Sequence, residues 1–336
     1  MYTFEEIIGH RGVILNLQQM IKHKKVSHSY IFDGISGIGK KTIALTFAKT
    51  LQCLKKEITP CNECSSCRAF DSGNHPDVFF ISTDKKSLGV DEVRDNIQKD
   101  IETKPYKYRY KIYIVDQADK MTIQAQNALL KTIEEPPSYG IIMFISTNYK
   151  QFLPTILSRC SLVKLNPLKP GEIKDYFKTS PVDPNMIDLY ITFSGGSIGA
   201  VKKMMESEYF LEIRENVIRW VNEIHTGDLM KLFEIQKEME NYKEEIDFVL
   251  DLMYAWYRDI LLIKQIGNNP YILNKDKINL LLNTGTDLSY NKLGRSLDAI
   301  ENAKRQLRQN ANFQLALEIM LLHIKENAHE RNRSSF

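Results

Sequence analysis

A glycine-rich loop near the start of this 336-residue chain constrains its fold more than any other feature. An apolar run ending at Asp33 leads into GISGIGKKT at residues 34–42, and the helical pattern IALTFAKTL follows. Glycines let backbone N–H groups turn towards a phosphate at a helix N-terminus, and the order of strand, loop and helix is the one that a P-loop requires. A glycine-rich turn unrelated to nucleotides is the alternative. The candidate nucleotide-binding residues are Gly34, Gly37, Gly39, Lys40 and Thr42.

The residue after the loop lysine does not suit a magnesium site. In a P-loop ATPase this position is serine or threonine, because its hydroxyl holds the metal. Here it is Lys41, and Thr42 cannot easily substitute because one helical step turns a side chain by about 100°. The sequence therefore predicts that the metal ligand is absent. Nucleotide binding without productive hydrolysis is still compatible with the sequence.

The acidic strand of the ATPase site is also altered. KIYIVD, residues 111–116, is an apolar strand that ends in an aspartate, as the corresponding strand of a P-loop ATPase does. A glutamate that positions the attacking water usually comes next, whereas Gln117 is an amide and cannot accept a proton. Asp119 is too short to be assumed equivalent. Either the site has lost hydrolysis, or Asp116 only caps a buried strand.

The first half of the chain alternates between strand and helix patterns, which predicts a parallel α/β sheet. A helix over residues 90–102 would carry Val93, Ile97 and Ile101 on one face. After Asn166 the pattern is helical throughout. We predict an α/β P-loop domain at 1–166, a small helical domain at 167–207 and an all-α domain at 208–336. The predicted strands are His28–Asp33, Asp77–Ser82, Lys111–Asp116, Gly140–Ser146 and Leu162–Leu165.

Four of the five cysteines fall within fifteen residues, in the pattern C-x7-C-x2-C-x2-C. These are Cys53, Cys61, Cys64 and Cys67. Four thiolates match a closed, tetrahedral structural zinc site, which leaves no ligand position for water. The predicted zinc module therefore spans residues 53–67, and a redox pair or unrelated thiols are the alternatives. Cys160 stands apart, and we expect it to be buried.

Composition excludes several classes of protein. The opening MYTFEEIIGH has acidic residues where a signal peptide has basic ones, and no apolar run approaches the roughly 20 residues of a spanning helix. We therefore expect a cytoplasmic protein with no membrane role. A net charge of only +3 excludes a strong electrostatic attraction of the whole chain to phosphate groups but permits local basic patches. The run from Lys107 to Lys111 could touch DNA, although a solvated loop is the commoner explanation.

Several sequence runs together carry a family resemblance. HSYIFDGISGIGK, KIYIVDQADKMT, NALLKTIEEPP and LPTILSRC resemble the AAA+ clamp-loader subunits of bacterial DNA polymerase III, of the gamma and delta-prime types. The resemblance spans the chain, from FEEIIGHRGVILNLQQMI to NANFQLALEIMLLHI. It implies an AAA+ domain, a helical lid and a C-terminal helical collar for oligomerisation. These correspond to the three predicted domains, and the family carries its zinc module where the cysteine cluster lies.

The resemblance also implies a function and a set of partners. Gamma-type subunits hydrolyse ATP and delta-prime subunits do not. Lys41, Gln117 and Gly199 favour the delta-prime type, because the gamma-type lid has a nucleotide-sensing arginine at about position 199. Thr147 stands where the family keeps a polar sensor. The implied partners are gamma/tau-type and delta-type subunits and, through the complex, the sliding clamp and primer–template DNA.

Two other functions compete with this one. The first is an ATP-hydrolysing gamma/tau-type subunit, which an ATPase measurement would distinguish. The second is a stand-alone DNA-binding AAA+ protein, which would not require NALLKTIEEPP or the helical C-terminal part.

Arg159 is the candidate catalytic residue. It follows the strand Gly140–Ser146 and the turn-rich NYKQFLPT, which predicts a position at the sheet edge, away from the chain's own phosphate loop. The clamp-loader resemblance implies that this arginine acts in trans, on the nucleotide of the adjacent gamma-type subunit. A local salt bridge is the alternative role.

Overall fold

The computed structural model describes residues 2–82, 87–286 and 288–326. The chain forms two compact units, of which the first comprises Met1–Ser180 and Ser194–Lys202, and the second comprises Pro181–Phe193 and Lys203–Phe336. The three domain boundaries inferred from the sequence stay a prediction. The α/β plus all-α fold class is confirmed, because the first unit contains a parallel sheet and the described part of the second is helical.

A five-stranded parallel sheet forms the centre of the first unit, in the order β2-β3-β4-β1-β5. Its strands are β1 Ser29–Asp33, β2 Val78–Ile81, β3 Lys111–Val115, β4 Gly140–Ser146 and β5 Ser161–Lys164. Each lies within one residue of its predicted bounds. The central strands β3 and β4 are buried along their whole length, as apolar strands covered on both faces should be.

Two apolar clusters cover the two faces of this sheet, and β1 contributes to both. Tyr30 and Phe32 point to one cluster and Ile31 to the other, as the two-residue period of a strand requires. The helices of the first unit are α1 Arg11–Lys22, α2 Lys40–Gln52, α3 Ser65–Asp71, α4 Val90–Val93, α5 Ile123–Glu134, α6 Pro154–Leu157, α7 Pro170–Tyr176 and most of α9, Ile198–Glu206.

The predicted helix over residues 90–102 is only partly α-helical. The α-helix ends at Val93, and a π-helical turn continues it over Arg94–Gln98. Val93, Ile97 and Ile101 are buried, as expected. Their four-residue spacing exceeds the 3.6 residues of an α-helical turn, and a wider turn keeps such a spacing on one face.

The described part of the second unit is built from helices alone. Trp220, Trp256 and Tyr257 are buried in its core, in keeping with the apolar helical runs of the sequence. Its helices are α8 Pro184–Phe193, α10 Glu208–Thr226, α11 Leu229–Met239, α12 Ile246–Ile266, α13 Ile278–Thr286, α14 Tyr290–Arg308 and α15 Phe313–Glu326. None of the described helices combines the length and apolar character needed to cross a membrane.

Candidate functional site

The phosphate loop lies at the carboxyl end of β1, which is flanked by β4 and β5. Gly37 and Gly39 have φ values of +73° and +106°, a region that glycine enters without the steric cost of a side chain. Helix α2 begins at Lys40, directly after Gly39, and no side chain caps its N-terminus. The first N–H groups of the helix therefore remain available to an anion.

A cavity of about 560 Å³ opens above this loop. The loop itself forms one wall, and residues after β3 and β4 form the other. The structure thus brings together the glycine loop and the altered acidic strand that the sequence singled out. The residues that line it include Gly37, Gly39, Lys40, Lys41, Thr42, Asp116, Gln117, Asp119 and Thr147.

The side chain of Lys40 folds back on its own loop. Its Nζ donates hydrogen bonds to the carbonyl oxygens of Gly34 and Ile35, at 2.6 and 2.7 Å. The residue is only 7% exposed. Burial lowers the pKa of Lys40, while the negative charges of Asp33, Asp119 and Asp116 oppose that shift.

Lys41 directs its ammonium group to the acidic strand. Its Nζ lies 3.7 Å from Oδ2 of Asp116 and 3.9 Å from the centre of the Phe80 ring. The carboxylate that would face a magnesium ion is therefore paired with a side-chain cation, and no hydroxyl stands at position 41. These residues do not fit magnesium. The sequence indicated the missing ligand but gave no sign of this replacement, because Phe80 and Asp116 are distant along the chain.

The remaining polar groups of the cavity bond to one another. The backbone N–H of Gln117 donates to Oδ1 of Asp116 at 3.0 Å. Thr147, at the position of the family's polar sensor, donates its hydroxyl to Asp119 at 2.7 Å and its backbone N–H to the same carboxylate at 3.3 Å. Asp119 is thus engaged by Thr147 in this structure.

The start of helix α9 contacts the phosphate loop directly. The backbone N–H of Gly199 donates to the carbonyl oxygen of Gly37 at 3.0 Å. The hydroxyl of Ser197 donates to the carbonyl oxygen of Ser36 at 2.9 Å. A Cβ on Gly199 would lie 2.7 Å from the Cα of Gly37 and 2.8 Å from its oxygen. An arginine at this position would require the loop or the helix to move.

A second cavity, of about 320 Å³, adjoins the loop on its other side. It shares Gly37, Gly39 and Thr42 with the first cavity. Apolar side chains from the N-terminal segment, α7 and α9 form much of its wall: Ile7, Ile8, Tyr176 and Ile198.

The four clustered cysteines converge on one point. The sulfur atoms of Cys53, Cys61, Cys64 and Cys67 all lie within 4.8 Å of one another, and those of Cys61 and Cys67 are 4.0 Å apart. Zinc–sulfur bonds of about 2.3 Å in a tetrahedron would separate the sulfurs by about 3.8 Å. These residues therefore fit a structural zinc ion closely.

Backbone N–H groups donate hydrogen bonds to the sulfur atoms of this cluster, which favours the thiolate form that binds a cation. The amides of Cys61, Cys64 and Cys67 each donate to the sulfur of the preceding cysteine in the cluster, at 3.4 Å. At Cys61, burial opposes the thiolate, but hydrogen bonds from the amides of Glu63 and Cys64 lower its pKa to about 6.

A buried ion pair connects the helix that follows the phosphate loop with helix α3, which continues from the zinc module. The Lys49 side chain is fully buried in α2. Its Nζ contacts both carboxylate oxygens of Asp71, at 2.7 and 2.8 Å, and Oδ1 of Asn62 at 2.6 Å. Sequence reasoning missed this contact, since nothing in the spacing of the cysteines indicates it.

Arg159 lies at the end of the sheet opposite the phosphate loop. It precedes the edge strand β5, and its carbonyl oxygen accepts a hydrogen bond from Ser29, the first residue of β1, at 3.1 Å. The phosphate loop begins after the last residue of β1, about 13 Å further along the strand. The side chain is partly exposed and bonds locally, to Glu134 at 3.0 Å and to Thr155 O and Ser158 Oγ at 3.0 Å each.

Cys160 is only partly buried, whereas the sequence led us to expect a buried thiol. Burial nevertheless raises its pKa to about 11. The thiol is therefore held in its protonated form at neutral pH.

Two family models and a relative that aligns over most of this chain come from bacterial DNA polymerase III. A family model described as "DNA polymerase III, delta subunit" matches residues 9–169, and its C-terminal counterpart matches residues 208–326. The delta-prime subunit of Bacillus subtilis DNA polymerase III is 31% identical over 92% of this chain and 94% of its own length.

More distant relatives include subunits of other types. The tau subunit of Bacillus subtilis is 26% identical over 97% of this chain, which spans only 62% of that protein. A solved gamma-subunit-related protein of Thermotoga maritima aligns at 19% identity with a TM-score of 0.43, over 94% of this chain and 99% of that one. On the two family models and the delta-prime relative, the chain belongs to the delta-prime family of DNA polymerase III clamp-loader subunits.

Proposed function

We propose that this chain is a non-hydrolysing clamp-loader subunit that supplies Arg159 to the nucleotide site of a neighbouring gamma-type subunit. It assembles with gamma/tau-type and delta-type subunits, and the complex uses ATP to load the sliding clamp onto primer–template DNA. The observation that carries the proposal is the 3.7 Å contact of Lys41 with Asp116. A cation from the chain takes the position of the catalytic metal, so this site does not activate its own phosphates.

The location of Arg159 supports its role in trans. It lies at the opposite end of β1 from its own phosphate loop, too far to serve that loop. Arginine suits the task because its planar, permanently charged guanidinium can bridge phosphate oxygens as charge develops in the transition state.

The local salt bridge of Arg159 does not oppose this role energetically. Both partners are more than a third exposed, and such pairs contribute about 0–1 kcal/mol. Arginine fingers in other nucleotide hydrolases accelerate the reaction by about 10³–10⁵, equivalent to about 4–7 kcal/mol. Releasing Glu134 therefore costs far less than a finger contributes.

The test is a reconstituted complex in which only this chain carries a substitution. Arg159→Ala should leave assembly intact but lower clamp- and DNA-stimulated ATP hydrolysis and clamp loading. Glu134→Ala is the matched control, because it removes the same salt bridge and keeps the arginine. If Arg159 has only a structural role through Glu134, both variants should behave alike. Normal clamp loading by the Arg159→Ala complex would refute the proposal.

A further inference from the structure

We propose that the loop at residues 104–109, called here the basic loop, binds single-stranded nucleic acid. The basic loop ends one residue before β3, so it lies at the amino-terminal edge of the parallel sheet. The phosphate loop follows the carboxyl end of β1, at the other edge. Arg159 precedes β5, three strand positions from β3, which corresponds to about 14 Å. The proposal therefore rests on neither the phosphate-loop cavity nor Arg159.

A buried carboxylate holds the backbone of the basic loop in place. Asp77, the residue before β2, is fully buried. Its carboxylate accepts hydrogen bonds from three successive backbone N–H groups, those of Tyr106, Lys107 and Tyr108. The ring of Tyr108 also packs against that of His75, with ring centroids 4.5 Å apart. Because the backbone of the basic loop is already fixed, a ligand that binds there orders little additional chain.

The basic loop carries three cations without acidic partners. Lys104, Lys107 and Arg109 are exposed, and none of them forms an ion pair with a carboxylate of the described part of the chain. Lys111 differs, because it is buried and paired with Asp100 at 2.9 Å. Of the basic and aromatic run seen in the sequence, the end is therefore structural. The three exposed cations suit phosphate groups, since no carboxylate has to be displaced from them.

The ring of Tyr106 decides which kind of polyanion the basic loop fits. Tyr106 is 86% exposed, more than any other large hydrophobic side chain of the described residues. A base of a single strand offers its face to such a ring, and this stacking accepts every base. In a duplex the neighbouring pairs cover the base faces, and an acidic peptide need not carry a flat ring to stack. An exposed aromatic ring among unpaired cations therefore favours a single-stranded nucleic acid of any sequence.

The experiment is a fluorescence-anisotropy titration of the full-length chain with a labelled oligo(dT) of about 20 nucleotides, which is longer than a site of this kind covers. Three phosphate contacts on a single strand predict a slope of about −2 for the logarithm of affinity against that of salt concentration. Raising the salt concentration fourfold should thus weaken binding by about 20-fold. Replacing Lys107 and Arg109 together by glutamine should reduce the slope to about −0.7.

Substitutions of Tyr106 test the stacking contact. Tyr106→Ala should weaken binding about fivefold or more, whereas Tyr106→Phe keeps the ring and should bind as the wild type does. Tyr271→Ala is the matched control, because it removes a tyrosine that is 73% exposed in the second unit, and it should leave binding unchanged. All these side chains are exposed, so an unchanged Tm verifies that a loss of binding is not a loss of structure.

Three results would overturn the inference. The first is the absence of oligo(dT) binding by the wild-type chain at low salt. The second is equal affinity of Tyr106→Ala and the wild type. The third is a DNA duplex or poly-glutamate that competes as strongly as oligo(dT), which would assign the basic loop to polyanions in general. None of them predicts the result of the Arg159→Ala experiment, so this inference and the proposed function fail independently.

Discussion

Replacing Gly199 by alanine should separate the start of α9 from the phosphate loop. The added Cβ would lie 2.7 Å from the Cα of Gly37 and 2.8 Å from its oxygen, closer than unstrained atoms approach. Both contacts are to backbone, so no side-chain rotation relieves them. Overpacking of this kind costs about 1–3 kcal/mol. A shift that relieved it would break the hydrogen bond from Gly199 to Gly37, which contributes about 0.5–1.5 kcal/mol.

Gly171 provides a matched control for this substitution. It is the second residue of α7, as Gly199 is the second residue of α9, and nothing lies within 4 Å of the position its Cβ would take. Replacing a helical glycine by alanine gains up to about 1 kcal/mol from backbone propensity. Gly171→Ala should therefore be neutral or stabilising. Gly199→Ala should be destabilising by up to about 2 kcal/mol, since the same gain of about 1 kcal/mol is subtracted from an overpacking cost of about 1–3 kcal/mol.

Thermal unfolding measures the loss of stability, and amide hydrogen exchange measures the loosening of the loop and the helix. For a unit of this size, 1 kcal/mol corresponds to a shift of about 2–4 °C in Tm. In Gly199→Ala, exchange should also accelerate at residues 34–42 and 197–202, since the loop and the helix lose their shared hydrogen bonds. If both alanine variants raise Tm equally and exchange at the loop is unchanged, the contact does not restrain the loop.

Three further outcomes are expected. The isolated chain should show negligible ATPase activity, because Lys41 and Gln117 replace catalytic groups; turnover that Lys40→Ala abolishes would instead indicate a gamma/tau-type enzyme. Metal analysis should find one zinc ion per chain, and less than half an equivalent in carefully prepared protein would contradict the zinc site. Removal of the zinc by a chelator should loosen the module without creating or destroying any hydrolase activity. The second unit should lose stability in acid because burial, together with the charges of Lys292 and Lys325, lowers the pKa of His225 to about 4. As pH falls from about 6.5 to about 4, the histidine binds its proton in the unfolded chain before it does so in the folded one, so at most about 3 kcal/mol of the free energy of unfolding is lost. His225→Gln should make the stability depend less on pH over that window. Parallel curves of stability against pH for the two proteins would refute this.

The sheet could be predicted closely because its physical signal is local. A parallel strand buried on both faces must be apolar along its length, as GIIMFIS in β4 is. The cysteine cluster is equally local, since four closely spaced cysteines whose sulfur atoms converge on one point suit the coordination of one metal ion. Arg159 could be assigned to the sheet edge because it follows a predicted strand and a turn.

The contacts that define the candidate site were beyond sequence reasoning. Lys41 meets Phe80 and Asp116, and Gly37 meets Gly199, each across long stretches of chain. No periodicity records such pairs, because they arise from the packing of separate elements. The sequence showed that a magnesium ligand and a sensing arginine were absent. Only the three-dimensional arrangement revealed that a cation and a close backbone contact replace them.

The compact unit to which helix α8 belongs is also decided by tertiary contacts. The small helical domain predicted at 167–207 includes α8, and the contacts group α8 with the second compact unit. Tyr190 and Phe193 pack their rings against Phe210 and Phe248, with centroids 4.9 and 5.8 Å apart. Aromatic contacts of this kind depend on the tertiary arrangement and leave no mark on the linear pattern.

The ion pair of Lys49 makes the zinc module difficult to lose in evolution. The module supplies Asn62, and helix α3, which continues from it, supplies Asp71 to a fully buried ammonium group of the helix that follows the phosphate loop. Deleting the module together with α3 would leave that charge unpaired, at a cost of about 3–5 kcal/mol, which is a large fraction of the stability of a typical domain. A descendant that lost its four cysteines, the surrounding loop and α3 would therefore have to replace Lys49 by an uncharged residue at nearly the same time. Among relatives, we expect the presence of the cysteines and a lysine at this position to vary together.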